Sequence, residues 1–440
     1  MTAAGILLRW VFLHFLPQVT SDSQLYADIA RNWLAHGIYG LTENGTAVPT
    51  CIRLPGYPAF LAAVFAVFGQ QAFRAALWTQ IVVDLATCFA MADLALRVTT
   101  SPRAAKAAFL LAALCPFLAN YSAAALTETL TIFTVAVALD LAAWALNEPD
   151  ARVMPWTACG LVVGTGILLR PDGGLLLAAI AAYLSALLMR RRGMLKALAI
   201  FVIVALLPLV PWTARNWHTL HVFRPLAPRY ANNDQDFVAA GFNRWVKTWI
   251  ADYVSTEEIY WNVPGDTLDV ASLPTRAFDS PLQQTRTVQL FAEYNESHSI
   301  GPELDAKFSA LAEERVRSAP LRYYVRLPLL RIADMWLRPR TELLPSDTRW
   351  WQFDDDPRGS VLAMGFGTLN FFYLLAAMAG FWRGGIKYAE LFLLFVVVRS
   401  VFLGTLENPE PRYTLEMYPV IILGAAACIA NWRGKLTFRA

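Results

Sequence analysis

Ten apolar segments run through this chain, each long enough or nearly long enough to cross a bilayer, and every other feature has to be arranged around them. They lie at about 5–18, 73–96, 104–120, 124–146, 156–169, 172–189, 195–212, 360–382, 387–404 and 413–432. A helix needs roughly 17–25 mostly apolar residues to span the hydrocarbon core. In that solvent only structures with every backbone group satisfied are tolerated. Hydrophobic residues make up 56% of the 440 and charged residues only 16%, which takes the chain out of the soluble class. Fifteen Trp and fifteen Tyr suit aromatic belts at two interfaces. The expected fold is an all-α polytopic membrane protein of about ten transmembrane helices, with extracytoplasmic juxtamembrane helices and one large extracytoplasmic insert.

Charge gives the orientation. With the N-terminus inside, the inner loops are 97–103, 147–155, 190–194, 383–386 and the C-terminal tail. They carry Arg97, Arg103, Arg152, Arg190, Arg191, Arg192, Arg383, Arg433, Lys435 and Arg439 against Glu148 and Asp150. That is a positive-inside bias. The outer loops are then 19–72, the turn near 121, 170–171, 213–359 and 405–412. The chain divides into an N-terminal membrane module (1–212) with its first loop at 19–72, an insert (213–359) and a C-terminal membrane module (360–440). The expected location is the inner (plasma) membrane, multi-pass. Residues Gly5 to Leu16 resemble the apolar core of a signal peptide, but no small-residue cleavage site follows before Asp22, so a retained first span is expected. Five Cys, four of them in apolar segments, imply no disulfide framework. A net charge of +3 gives no argument for a nucleic-acid partner.

The polar motifs collect on the outer side. Asp22 follows the first span directly, and Tyr26 and Ala30 share its helix face at i+4 and i+8. A charge at a span end is often merely solvated. The functional alternatives are a general base for an acceptor hydroxyl or a ligand for a divalent metal. Arg53-Leu54-Pro55-Gly56-Tyr57-Pro58 is expected to be a rigid turn carrying a guanidinium whose fork matches phosphate oxygens. The plainer reading is a loop arginine facing headgroups. Glu128 stands at a span boundary, where an acid is costly without a partner. It is either part of a site or a structural partner of Arg170. Arg170-Pro171-Asp172 and Pro211-Trp212-Thr213-Ala214-Arg215-Asn216 are further arginine-bearing span ends, and Arg399 and Arg412 flank the last outer loop. Asp84, Asp93 and Asp140 lie deeper and read as structural helix-to-helix partners. In the insert, Leu321 to Leu337 has Arg322 and Arg326 at i, i+4 among apolar residues. Such a helix either lies in the headgroup plane or packs on the insert's own core. No phosphate-binding glycine loop, GxSxG or HExxH is present, and the five His form no ligand cluster. A donor already activated within the membrane is the simpler expectation.

Taken in order, Asp22-x3-Tyr26-x3-Ala30, Gly37-x-Tyr39-Gly40, Arg53-x-Pro55-Gly56-Tyr57-Pro58, Thr127-Glu128, Arg170-Pro171-Asp172, Pro211-Trp212-x2-Arg215-Asn216 and Arg412-Tyr413-Thr414 resemble the GT-C superfamily of integral-membrane glycosyltransferases. The nearest branch is the bacterial one that is similar to protein O-mannosyltransferases and the lipid A aminoarabinose transferases. The resemblance implies transfer of a sugar from a polyprenyl-phosphate donor to an acceptor on a glycan, lipid or protein, at the extracytoplasmic face. It makes Asp22 the catalytic first-loop aspartate, and Glu128 stands beside it as a second catalytic candidate. Tyr26, Arg53, Tyr57, Arg170, Asp172, Arg215, Arg399 and Arg412 become substrate-binding candidates, the arginines for the leaving phosphate. Two positions depart from the related patterns. Ser23 replaces the second acid of the mannosyltransferases, and Ile52 replaces the metal-binding Glu of the aminoarabinose transferases. The competing class is a transporter or flippase of a lipid-linked or anionic solute, which would place its polar groups at the midplane between repeats.

Reporter fusions test the topology. Fusions at 190–194 and at the C-terminus are expected to report the cytoplasm, and fusions within 213–359 the opposite side. A cytoplasmic signal from the insert would overturn the assignment of the polar motifs to one outer face.

Overall fold

The computed structural model describes residues 2–148, 153–190, 193–233 and 236–434. Of the charges used for orientation, Asp150, Arg152, Arg191, Arg192, Lys435 and Arg439 lie outside the described residues. The chain is almost wholly helical, and each expected apolar segment falls on a helix or helix pair. In order these are α1 (Thr2–Phe15), α2 (Ser21–His36), the strands β1 (Gly40–Glu43) and β2 (Thr46–Pro49), α3 (Gly56–Phe68), α4 (Phe73–Thr99), α5 (Pro102–Ala113), α6 (Pro116–Ser122), α7 (Glu128–Asn147), α8 (Val153–Leu169), α9 (Gly174–Leu188), α10 (Met194–Leu206) and α11 (Leu209–Leu220). There follow α12 (Ala240–Lys247), α13 (Tyr253–Ser255), α14 (Pro281–Ser297), α15 (Pro302–Ser318), α16 (Leu327–Leu337), α17 (Pro357–Arg383), α18 (Ala389–Gly404) and α19 (Tyr418–Gly434). Among the described residues, Glu128–Asn147, Pro171–Leu188, Met194–Leu220, Pro357–Arg383 and Pro411–Asn431 are individually long and apolar enough to cross a membrane.

Three local expectations change. The segment at 104–120 is not one straight helix: α5 and α6 meet at a 51° bend. The cause is Pro116, which cannot donate an amide and excludes the preceding residue from the helical region. The helix expected to end at 212 continues as α11 to Leu220. The proposed turn Pro55-Gly56-Tyr57-Pro58 instead opens α3, with Pro55 at the N-cap. Gly56 is required there because a Cβ would lie 2.6 Å from the Leu168 carbonyl oxygen.

The first loop is also more ordered than a loop. Thr20 and Ser23 form a reciprocal capping box at the start of α2, and Gly37 closes the helix in the left-handed conformation (φ 69°). An antiparallel hairpin follows, pairing Leu41 with Val48 and Glu43 with Thr46. Asn44 and Gly45 both have positive φ (51° and 79°), as a two-residue type I′ turn demands. The Asp28 carboxylate takes the Thr42 amide (2.7 Å) and hydroxyl (2.8 Å), and Asn32 donates to the Gly40 carbonyl (3.1 Å). These bonds pin the hairpin to α2.

The chain folds as two compact units. The first comprises Met1–Asn233, Phe371–Val398 and Leu415–Ala440, the second Asp234–Asn370 and Arg399–Thr414. In the first, buried charges are closed by partners. Arg9 on α1 is fully buried and meets Asp84 of α4 at 2.6 Å, with further bonds to the Gly5 and Ala113 carbonyls. Arg97 ties Asp93 (2.5 Å) to Asp140 of α7 (2.8 Å). The second unit has its own aromatic core of Phe242, Trp245, Trp249, Phe291 and Phe308. There the Asp305 carboxylate accepts the first amides of α12, Gly241 and Phe242, both at 2.9 Å.

The Arg9–Asp84 pair generates a stability prediction. Asp84→Ala leaves a buried guanidinium without its counter-charge, and such losses typically cost about 3–5 kcal/mol. Thermal denaturation in detergent should show a clear fall in Tm, and an unchanged Tm would mean the pair is dispensable.

Candidate functional site

Asp22 lies in the first turn of α2, set there by the Thr20 cap. Its Oδ1 receives a hydrogen bond from Arg53 Nη2 at 2.8 Å, joining the start of α2 to the strand-to-helix link before α3. The pair is open at one edge: the Asp22 side chain is 37% exposed and that of Arg53 23%. The Arg53 backbone is held from behind, since the Tyr39 hydroxyl donates to its carbonyl at 2.9 Å. The Arg53 guanidinium also lies 5.8 Å from the centre of the Tyr26 ring.

A second charged cluster is built on helix ends. Glu128 is the first residue of α7, Arg170 follows the last residue of α8, and Glu416 precedes α19. Arg170 Nη1 meets Glu128 at 3.0 Å, while its Nε faces Asp172 at 3.2 Å and Glu416 at 3.3 Å. The Glu128 and Glu416 side chains are only 3% and 2% exposed, so one guanidinium serves two buried acids and a third at the edge. Tyr26 connects this cluster to the first pair. Burial raises its hydroxyl pKa, and Asp22 and Glu128 push the same way while Arg53 and Arg170 oppose them. The hydroxyl therefore lies within the field of both ion pairs.

The remaining candidates have different surroundings. Tyr57 is fully buried, packs edge-on against Tyr26 and spends its hydroxyl on Gln80 Oε1 at 2.6 Å. Arg215 clamps the first loop by donating to the Thr50 (2.7 Å) and Tyr39 (2.6 Å) carbonyls, stacked on Tyr39 and Trp212. Both make structural contacts beside Asp22 and Arg53. Arg399 and Arg412 belong to the second unit. Arg399 is buried and donates to the Tyr413 carbonyl at 3.2 Å, and Arg412 pairs with Glu410 at 2.5 Å. Glu416 was not singled out from the sequence. Its signal is a lone acid at the start of an apolar span, four residues beyond Arg412. Among the described residues, no group of three or more His, Cys, Asp or Glu is placed to hold a metal ion. Arg170 occupies the centre of the carboxylate cluster, and Asp22 is turned to Arg53. The donor set therefore does not fit the divalent metal considered for Asp22.

The family model of dolichyl-phosphate-mannose-protein mannosyltransferases matches residues 49–214. That stretch contains Arg53, Tyr57, Glu128, Arg170 and Asp172. Among solved structures, the archaeal oligosaccharyltransferase AglB from Archaeoglobus fulgidus, in complex with an inhibitory peptide and a dolichol-phosphate, superimposes with a TM-score of 0.51 over 99% of this chain at 12% identity. Residues 49–214 are thus similar to that mannosyltransferase family, and the chain shares the fold of the AglB membrane enzyme. It spans 50% of the AglB chain. ArnT from Cupriavidus metallidurans, bound to undecaprenyl phosphate, matches at 16% identity over 97% of this chain and 76% of its own, with a TM-score of 0.44. No curated protein sequence matches.

The shared guanidinium gives a double-substitution test. Arg170→Met strands Glu128 and Glu416 beside each other and should lower Tm markedly. Adding Glu416→Gln to Arg170→Met should recover part of the loss, because the repulsion disappears with the second charge. Strict additivity of the two changes would show that the acids do not share Arg170.

Proposed function

We propose that this chain transfers a sugar from a polyprenyl-phosphate-linked donor to an acceptor hydroxyl at the extracytoplasmic face of the membrane, with Asp22 as general base. The observation that carries the reading is the Asp22–Arg53 pair. It joins an acid to a cation and is open at its edge, with the Tyr26 ring 5.8 Å from the Arg53 guanidinium. The match to the mannosyltransferase family model and the likeness to a fold that holds dolichol-phosphate in AglB support a lipid-phosphate donor.

The chemistry uses these residues in a defined order. A donor phosphate brought to Arg53 competes for the guanidinium now held by Asp22, because the fork suits phosphate oxygens as well as a carboxylate. The released carboxylate accepts the proton of the acceptor hydroxyl. The acceptor oxygen bonds to the anomeric carbon as the bond from that carbon to the phosphate oxygen breaks. Polyprenyl phosphate leaves with the electron pair, its charge met by Arg53. Glu128, Arg170, Asp172 and Glu416 form a second charged cluster at the helix ends. A transporter would need its polar groups at mid-span, whereas Glu128, Arg170 and Glu416 all stand at helix termini.

Two substitutions separate the roles. Asp22→Asn keeps size and hydrogen bonding but loses basicity, so transfer by purified protein with a panel of polyprenyl-phosphate sugars should fall by about 10²–10⁴-fold while donor lipid still binds. Arg53→Lys should weaken donor binding, since an ammonium cannot form the bidentate contact. Wild-type turnover in Asp22→Asn would remove the base from the scheme.

A further inference from the structure

In the second unit, a π-turn at Arg322–Arg326 leads into α16, and this stretch is amphipathic in the reverse sense to that of a soluble protein. Its inward stripe is Leu327, Arg331 and Met335, all buried. Arg331 is held there by the carbonyls of Ile250 (2.8 Å), Gly404 (3.2 Å) and Lys247 (2.5 Å). Its outward face is apolar: Leu321 is 76% exposed, Tyr324 67%, Val325 49%, Leu329 59% and Leu337 58%. Within this unit the aromatic core is completed by other helices, so nothing of the insert's own core covers that face. Outward apolar residues at i, i+4 and i+8 (Leu321, Val325 and Leu329) with an arginine inside have no use in water.

The same helix is fastened to the end of an apolar span. Trp336 Nε1 donates to Ser400 of α18 at 3.1 Å, and Gly404 approaches so closely that a Cβ there would meet Ile332 and the Pro328 carbonyl at 2.9 Å. Around this junction α18 itself presents Val401 (56% exposed) and Phe402 (40%) outward. The exposed apolar face of α16 is thus attached at the level where an apolar span ends.

We propose that the stretch from Leu321 to Leu337 lies in the headgroup and acyl boundary of the leaflet at which α18 ends, with its outward leucines, valine and tyrosine in lipid. The occupant of the face is the bilayer itself. Interfacial helices of this kind bury their apolar side about 5–10 Å into the boundary region. The exposed Arg326 is then at the depth of lipid phosphates, to which a guanidinium donates well. The helix ties the second unit to the membrane plane independently of any activity of the first.

All five native cysteines are buried, so an introduced surface cysteine can be labelled selectively. Full-length Leu329→Cys and, separately, Val325→Cys carry a bimane label and are reconstituted into vesicles of phosphatidylethanolamine and phosphatidylglycerol. Glu303→Cys on α15, where the side chain is 87% exposed, is the aqueous control. Replacing part of the lipid by bromolipid should remove most of the fluorescence at 325 and 329 and leave 303 unchanged. Labels at 325 and 329 that behave like the one at 303 would overturn the proposal. Protection that vanishes when the protein is diluted in excess lipid would assign the face to a second copy of the chain and overturn it equally.

Discussion

The Arg170 guanidinium is the contact on which the polar end of the membrane module depends. Three carboxylates converge on it from the start of α7, the α8–α9 corner and the turn before α19. Two of those acids are almost without solvent, and buried ions need partners of good geometry because water no longer screens or solvates them. A single ammonium is one point charge; the planar fork offers several donors in fixed directions. The cluster therefore sets three helix ends at one level.

A buried ion pair is weak evidence for stability, because desolvation can outweigh attraction. What the cluster supplies is register. Alternative arrangements of α7, α8 and α19 would leave Glu128 or Glu416 unpaired in the interior. The Arg9–Asp84 and Arg97–Asp93–Asp140 contacts do the same work elsewhere in the first unit. Asp84 and Asp140 are partners between helices, whereas Asp93 meets Arg97 one turn along the same helix.

Much of this architecture was legible from apolar runs, since a bilayer solvent leaves helices as the only economical solution for segments of that length. The first helical turn at Asp22 and its stop at Gly37 could be read from local residue chemistry. The hairpin could not be read as easily: four-residue strands carry little periodic signal, and Asn44-Gly45 was its one strong mark. Pro116 announced the bend after α5, but an apolar run hides a break when hydrophobicity alone is followed. Glu416 was masked in the same way by the span it precedes. The backbone carbonyls that Arg215 holds, and the Gln80 partner of Tyr57, could not be read from residue type and position. A guanidinium beside a candidate site can face a phosphate or two backbone carbonyls, and only the fold decides which.

Asp22 and Arg53 stand apart from the other ion pairs through partner number and access. Arg9 is enclosed by a carboxylate and carbonyls, and Arg170 by three acids, so neither can exchange a partner without exposing a buried charge. Arg53 meets one carboxylate at the edge of the unit, and exchanging it for a phosphate would cost comparatively little. The exchange would also be directional. Tyr39, Arg215 and the α2 cap hold the backbones of both residues, so the side chains could part while the loop stayed in place. The pair is part-exposed, and Arg53 also faces the Tyr26 ring, so the contact can open without stranding a buried ion.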